Sequence, residues 1–107
     1  MKRLSSKQAK AHAITYETKI KVFARDEGRC VWCGRTGPYV MPEAHFTARS
    51  KGGMGIPENI LTLCRPCHNR YDNGDRVDRE RMRAYFREYL KASYPGWDEE
   101  KLIYRRK

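Results

Sequence analysis

Two cysteine pairs decide the fold of this chain: Cys30-Val-Trp-Cys33 and Cys64-Arg-Pro-Cys67. Two thiolates separated by two residues can bind one metal ion, and two such pairs complete a tetrahedral shell. A chain of 107 residues, with 39% hydrophobic and 34% charged residues, has a thin core. Small domains of this kind commonly depend on a metal or on disulfides. We expect a zinc ion held by four thiolates, with disulfides or an iron centre as the alternatives.

The charge of the chain is strongly positive, at +10, from 23 Lys and Arg against 13 Asp and Glu. Four thiolates on a zinc dication would reduce it to about +8. An excess of this size on a small domain favours a polyanionic partner, most simply nucleic acid, over a merely soluble basic surface. No apolar run follows the basic N-terminus and no stretch has the length of a membrane span, so we expect a cytoplasmic protein.

Composition and periodicity divide the chain into residues 1–14, 15–92 and 93–107. The first part is a basic arm, either mobile or a helix that orders on DNA, in which His12 is expected to be a solvated tail residue. The elements predicted for the second part are a helix over 15–27 ended by Gly28, a strand over 39–46, a loop over 47–59, a strand over 60–63 and a helix over 64–72. The third part adds one turn and a basic end, Arg105-Arg106-Lys107.

Two helices carry apolar residues at helical spacing. In the first helix these are Tyr16, Ile20, Phe23 and Ala24. A last helix, capped by Asp75 or Asp78 and stopped by Pro95-Gly96, has the stripe Met82, Tyr85, Phe86, Tyr89 and Leu90. The other face of this last helix carries Arg79, Arg81, Arg83, Arg87 and Lys91. Such a basic face is either solvated or in contact with phosphates.

A second pattern lies around and between the cysteine pairs. It consists of Phe23-Ala24-Arg25-Asp26-x-Gly28, Glu43-Ala44-His45-Phe46, Arg49-Ser50-Lys51-Gly52-Gly53, Glu58-Asn59-Ile60-Leu61-Thr62-Leu63, and His68 directly after the last cysteine. Taken together over residues 20–72, the pattern resembles the HNH endonuclease family. The resemblance implies an α+β fold, in which residues 15–92 form a small ββα-metal, treble-clef-like core with zinc knuckles and flanking N- and C-terminal helices.

The resemblance also implies a function. HNH endonucleases are metal-dependent enzymes that nick or cut duplex DNA by hydrolysing phosphodiester bonds. Short members with the Ala-His-Phe variant are similar to those encoded by phages and prophages. We therefore expect DNA as the substrate, a bacterial or phage-infected host cell as the location, and a terminase large subunit as a partner.

Three residues receive roles from this resemblance. His45 is the general base that takes a proton from the attacking water, and its ordinary pKa near ~6.5 suits that role. Asn59 orients His45 through its side-chain amide. His68 binds the catalytic divalent ion, which is Mg²⁺, Mn²⁺ or another cation. The four cysteines hold a separate structural zinc, because four thiolates leave no open position for water.

Position 44 departs from the family pattern. Members carry Asp or His directly before the general base as a second ligand for the catalytic ion, whereas this chain has Ala44. Asp72 is our first choice to replace that ligand, since it lies four residues after His68 on one helical face. Glu43 is the second choice, and weak ion binding with low activity is the third outcome. Strict alternation would put Glu43 on the side of His45 and away from Ala44, so an irregular strand must be allowed here.

Basic residues flank the same region. Arg49, Lys51 and Arg65 are expected to clamp the DNA backbone, although any one of them alone could be a solubilising charge. Gly52-Gly53 would let the backbone approach a phosphate. No base-reading module is recognisable, so weak sequence preference is expected. Two competing interpretations are a non-catalytic zinc-knuckle module that only binds nucleic acid, which Ala44 favours, and a nuclease directed at RNA.

Overall fold

The computed structural model describes residues 6–104, with side chains from residue 9 onward, and it contains one two-stranded antiparallel sheet surrounded by helices. The elements in chain order are α1 (Ser6–His12), α2 (Tyr16–Arg25), β1 (Val40–His45), β2 (Ile60–Cys64), α3 (Arg65–Asn73) and α4 (Arg76–Ser93). Short 3₁₀ turns occur at Arg49–Lys51, Pro57–Asn59 and Glu99–Leu102. The predicted α+β class is confirmed, with β1, β2 and α3 in ββα order. None of the helices within residues 6–104 is long and apolar enough to cross a membrane.

The sheet is irregular next to the cysteine pairs. Met41 pairs with Leu63 and Ala44 pairs with Leu61, so Pro42 and Glu43 together oppose the single residue Thr62. This arrangement is a β-bulge. Proline has no N–H to donate to the ladder, and it is tolerated at a bulge because the ladder is interrupted there. The irregularity that the sequence analysis allowed for in this strand is therefore present.

The core lies between the sheet and α4. Met82, Phe86 and Leu90 of α4 are fully buried against β-strand residues such as Leu61 and Leu63. Asp75 caps α4 by accepting a hydrogen bond from the backbone N–H of Asp78, 2.9 Å away. The apolar stripe predicted for α4 included one residue that is not buried, because Tyr85 is 47% exposed.

The apolar residues predicted to form the buried face of α2 are exposed, so this prediction was wrong. Tyr16 is 78% exposed, Ile20 51% and Phe23 41%, whereas Thr18 and Val22 are the buried residues of this helix. The predicted end of α2 is confirmed, because Gly28 adopts a left-handed backbone at φ 66° just after the helix. The inward face of α2 is therefore not set by its largest apolar side chains.

A buried ion pair at the end of α2 sets that face instead. The carboxylate of Asp26 accepts hydrogen bonds from the backbone N–H of Thr62 (2.9 Å) and from the Tyr89 hydroxyl (2.5 Å). Arg25 pairs with Asp26 and donates to the backbone oxygens of Pro57 (2.8 Å) and Ile60 (2.7 Å). Because a buried charge is tolerated only when it is paired and hydrogen-bonded, this network orients α2 on the sheet and on α4.

Both ends of the described chain contact the loop that joins β1 to β2, here called the β1–β2 loop (residues 46–59). On one side the N–H of Gly55 donates to Ala11, and on the other the N–H of Met54 donates to Leu102. His12 is only 5% exposed, so its predicted place in a solvated tail was wrong. The domain boundaries at 14/15 and 92/93 remain predictions, and Arg105-Arg106-Lys107 lies outside the described residues.

Candidate metal centre and active site

The four cysteines converge on one point. Cys30 and Cys33 lie in the turn after α2, Cys64 ends β2, and Cys67 lies in the first turn of α3. Their sulfur atoms all lie within 4.8 Å of one another, and those of Cys33 and Cys64 are 3.7 Å apart. A tetrahedral zinc site with bonds near 2.3 Å has sulfur–sulfur edges of about 3.8 Å. The four free thiols therefore fit one tetrahedral metal ion.

The electrostatics of the cluster also suit a cation. Burial raises the pKa of Cys30, but backbone N–H donors outweigh it and lower that pKa to about 7. Burial raises the pKa values of Cys64 and Cys67, and the neighbouring Cys30 thiolate adds to the effect. Four thiolates at this spacing repel one another, so a bound cation is what would hold them all deprotonated.

An open cleft of about 820 Å³ lies between β1, the β1–β2 loop, α3 and the start of α4. The residues predicted as the base or as ion ligands line it together, namely Glu43, His45, His68 and Asp72. The basic residues in its lining are Arg49, Lys51, Arg76, Arg79 and Arg83. Arg65 is not among the lining residues, and its guanidinium lies over the Tyr39 ring, 5.3 Å from the centroid.

The His45 ring is fixed at one nitrogen. Its Nε2 atom lies 3.1 Å from the backbone oxygen of His12. A carbonyl oxygen only accepts, so Nε2 carries the proton and Nδ1 keeps a free lone pair. Burial lowers the pKa of His45. The hydrogen bond to the His12 backbone opposes this effect, and the Arg49 charge lowers the pKa further. The ring is therefore neutral at neutral pH, which is the state a general base requires.

His68 and Asp72 form a pair on α3. Nε2 of His68 lies 3.2 Å from a carboxylate oxygen of Asp72. Neighbouring ligands of an octahedral ion with bonds of 2.0–2.1 Å are about 3 Å apart, so this spacing fits two ligands of one cation. Glu43 lines the same cleft but pairs with Lys19 at 3.1 Å. Ala44 is fully buried in the core.

Among the residues that the structure describes, no third ligand completes that pair. Within residues 6–104, the four cysteines are the only group of three or more metal-ligating side chains that lie close together. A magnesium-type ion does not need more, because it commonly binds one or two protein ligands and takes the rest from water and substrate phosphate.

Asn59 does not line the cleft but fixes the loop beside it. Its side-chain oxygen accepts from the backbone N–H of Thr47 (2.8 Å), and its amide donates to the backbone oxygens of Thr47 (3.1 Å) and Met54 (2.8 Å). The side chain is fully buried. Thr47 follows His45 by two residues, so Asn59 fixes the chain where it leaves β1.

The glycine pair in this loop packs against the protein itself. A β-carbon on Gly53 would overlap the backbone oxygen of Thr47, and one on Gly52 would lie 2.8 Å from a methyl carbon of Ile103. Gly52 also has a left-handed backbone, at φ 90°. Both glycines are therefore required by close packing within this chain.

For the basic face of α4, the sequence left two alternatives open, a solvated face or a face in contact with phosphates. Arg83 donates to the backbone oxygen of Phe46 at 3.1 Å and lies over its ring, and it pairs with Glu99 at 2.6 Å. Arg79 donates to the backbone oxygen of Tyr71. The basic face of α4 is thus divided. Arg79 and Arg83 line the cleft, whereas Arg87, which also pairs with Glu99, is not among the lining residues. The spacing of these arginines was the available signal.

The comparison with protein families identifies this part of the chain. Residues 30–74 match the family model described as HNH endonuclease. This segment resembles an HNH domain. The resemblance expected from the sequence is thereby confirmed for residues 30–74, and it suggests a nuclease or DNA-binding protein. The match includes both cysteine pairs and the cleft residues of β1 and α3, whereas α1, α2 and α4 lie outside it. No curated protein matches this chain.

Proposed function

We propose that this protein is a metal-dependent DNA endonuclease that hydrolyses phosphodiester bonds of duplex DNA with His45 as the general base. One observation carries the proposal: His45, with a free Nδ1, faces the same cleft as the His68–Asp72 pair. A base and an ion site in one basic cleft are what phosphodiester hydrolysis requires.

The reaction begins with a water molecule in the cleft. Nδ1 of His45 takes a proton from that water, and the oxygen attacks phosphorus in line with the leaving 3′ oxygen. The bond between phosphorus and the 3′ oxygen breaks, and that oxygen takes a proton from solvent water, which leaves a 5′-phosphate and a 3′-hydroxyl end. His68 and Asp72 would hold a divalent ion, Mg²⁺ or Mn²⁺ or another, which would supply positive charge to the scissile phosphate and the leaving oxygen. Asn59 keeps His45 in place by holding the start of the β1–β2 loop.

The remaining assignments follow from charge and the donor set. Zn²⁺ on the four cysteines is structural, because a Cys₄ shell is closed to water. Arg49 and Lys51 contact DNA phosphates from one wall of the cleft, and Arg79 contacts them from α4. Arg65 contacts DNA outside the cleft. Since these side chains contact the phosphates of DNA and not its bases, they confer little sequence preference.

Nicking of supercoiled plasmid tests the proposal. The zinc-loaded protein is offered plasmid with Mg²⁺, Mn²⁺, Ni²⁺ or EDTA, and wild type is compared with His45→Ala and His68→Ala at equal zinc content. We expect ion-dependent nicking that both substitutions abolish. Cleavage that survives both would refute the assigned roles.

A matched pair of variants tests the basic cleft. Arg49→Ala and Arg35→Ala remove the same charge, but Arg35 is exposed near the cysteines and does not line the cleft. We expect Arg49→Ala to weaken DNA binding and cleavage more than Arg35→Ala. Equal effects would mean that Arg49 acts only through net charge.

The alternative function is a zinc-knuckle module that binds nucleic acid without cleaving it. The observation in its favour is Ala44, whose burial leaves the cleft with two ion ligands in place of the usual set. DNA binding without cleavage in any ion would support this alternative. Offering RNA to the same preparation separates a ribonuclease from both.

The cellular setting is a further part of the proposal. We place the protein in the cytoplasm of a bacterium or phage-infected host, working beside a phage terminase large subunit. Co-purification with such a subunit, or stimulation of nicking by it, would support this partner. The absence of both binding and stimulation would remove it.

A further inference from the structure

We propose that α1 is a positioning element for His45, and that His12 is the residue through which it acts. The backbone oxygen of His12 fixes the tautomer and the direction of the His45 ring, and the His12 side chain holds that oxygen in place. This inference rests on the proposed role of His45 as the general base. His12 is a positioning residue, because it reaches the reaction only through His45.

The first contact comes from the end of α1. The last carbonyl groups of a helix have no partner within the helix and must be satisfied elsewhere. The oxygen of Ala11 accepts from the N–H of Gly55 at 2.9 Å, and the oxygen of His12 accepts from Nε2 of His45 at 3.1 Å. The end of α1 is therefore completed by the β1–β2 loop and by the candidate base itself.

The second contact locks this arrangement. Nδ1 of His12 lies 2.8 Å from the backbone oxygen of Gly53, to which it donates. The ring is buried and meets the Tyr104 ring edge-on, with 6.0 Å between centroids. His12 thus bonds the loop through its side chain and His45 through its backbone, so a shift of α1 must disturb both.

Gly55 is an independent sign that the loop is adapted to α1. A β-carbon at this position would overlap the backbone oxygen of Ala13 and lie 2.6 Å from its carbonyl carbon. Real side chains do not approach backbone this closely, so any other residue at 55 would push the end of α1 away. None of these α1 residues lies in the matched segment 30–74. The orientation of His45 therefore depends on chain outside that segment.

Three variants of the full chain test the inference. His12→Ala removes the donor to Gly53, whereas His12→Asn offers an amide nitrogen near the place of Nδ1. Gly55→Ala displaces α1 by steric overlap without removing a polar side chain. Each is measured for its single-turnover nicking rate, its affinity for the same plasmid DNA, its zinc content and its thermal unfolding. Nitrogen NMR of labelled histidine reports the tautomer of His45.

We expect His12→Ala and Gly55→Ala to slow nicking by about 10- to 100-fold, by analogy with the loss of a partner that orients a metal-ligating histidine. DNA affinity should change by less than about threefold, since neither change removes a phosphate contact. His45 should pass from a single Nε2–H tautomer to a mixture. His12→Asn should recover most of the rate and the single tautomer.

The inference is overturned if His12→Ala nicks at the wild-type rate, or if His45 keeps the Nε2–H tautomer in both slow variants. Slow nicking that follows zinc loss or unfolding and is not rescued by His12→Asn would also overturn it, since it would show a general structural role. Failure of the proposed function looks different: wild type would not nick at all, while the tautomer measurement would still decide whether α1 positions His45.

Discussion

The cysteine cluster and the His45 cleft are built in opposite ways. Each cysteine pair spans only four residues, and one ion of fixed geometry can join the two pairs. The cleft has no such centre, since its candidate base is oriented by a backbone oxygen 33 residues earlier in the chain. Its loop is fixed by Asn59 on the inside and by both ends of the described chain on the outside. Stability should therefore depend most on the cluster, and activity on many weaker contacts.

The largest effect should come from breaking the cluster. Cys64→Ser replaces one thiolate ligand, and structural zinc in small domains contributes about 10–16 kcal/mol of apparent binding free energy that is also folding free energy. We expect loss of stoichiometric zinc and of a cooperative thermal transition. Elemental analysis and circular dichroism measure the two. As a control, wild type stripped by a strong chelator should lose the same transition and regain it when zinc is added.

If Cys64→Ser kept one zinc per chain and melted within about 2 °C of wild type, a metal frame would be the wrong description of this cluster. His45→Ala provides the converse comparison. It should keep both zinc and the transition while nicking fails, which would separate the frame from the cleft.

Asn59→Ala should have the next largest effect. It leaves the backbone groups of Thr47 and Met54 without their buried partners, and each such loss costs about 1–3 kcal/mol. With partial relaxation of the loop, we expect the free energy of unfolding to fall by about 3 kcal/mol, measured by urea denaturation of the zinc-loaded protein.

The matched control for that variant is Asn69→Ala. Asn69 is exposed, and within the described residues its side chain bonds to that of exposed Asn73 alone, so the change should cost less than about 0.5 kcal/mol. Equal losses in the two variants would mean that Asn59 does not fix the loop.

Much of the cysteine cluster and of the α3 ion site was predictable, because it depends on residues that are close together in the sequence. The spacing of the cysteines predicted their convergence, and the four-residue step from His68 to Asp72 predicted that pair. Other features required tertiary contacts that no residue pattern encodes. The role of the His12 backbone oxygen is of this kind, because any residue type carries that atom.

The error in α2 has a related cause. Its apolar periodicity pointed to Tyr16, Ile20 and Phe23, yet these residues are exposed. The buried contacts of Asp26 with Thr62 and Tyr89 orient the helix so that its other face is directed to the core. Satisfying one buried carboxylate outweighed the burial of several apolar side chains, since an unpaired charge in the core costs more.

A smaller effect should separate the two candidates for the second ion ligand. Asp72→Asn removes the carboxylate charge beside His68, whereas Glu43→Gln removes one that already pairs with Lys19. We expect Asp72→Asn to raise the Mn²⁺ concentration needed for half-maximal nicking by about 10- to 100-fold, and Glu43→Gln to change it by less than about threefold. The reverse order would make Glu43 the ligand.

The smallest expected effect is a displacement of the pH dependence. His45 must be neutral to accept a proton, and burial with the Arg49 charge lowers its pKa below the ordinary 6.5. The single-turnover rate should therefore fall on the acid side with a midpoint below pH 6.5, and a bound cation would move it further down. Because Arg49→Ala removes a charge that disfavours protonation, its midpoint should lie at higher pH than that of wild type. Arg35→Ala should leave the midpoint in place, and a common shift in both variants would assign the effect to net charge instead of to the cleft.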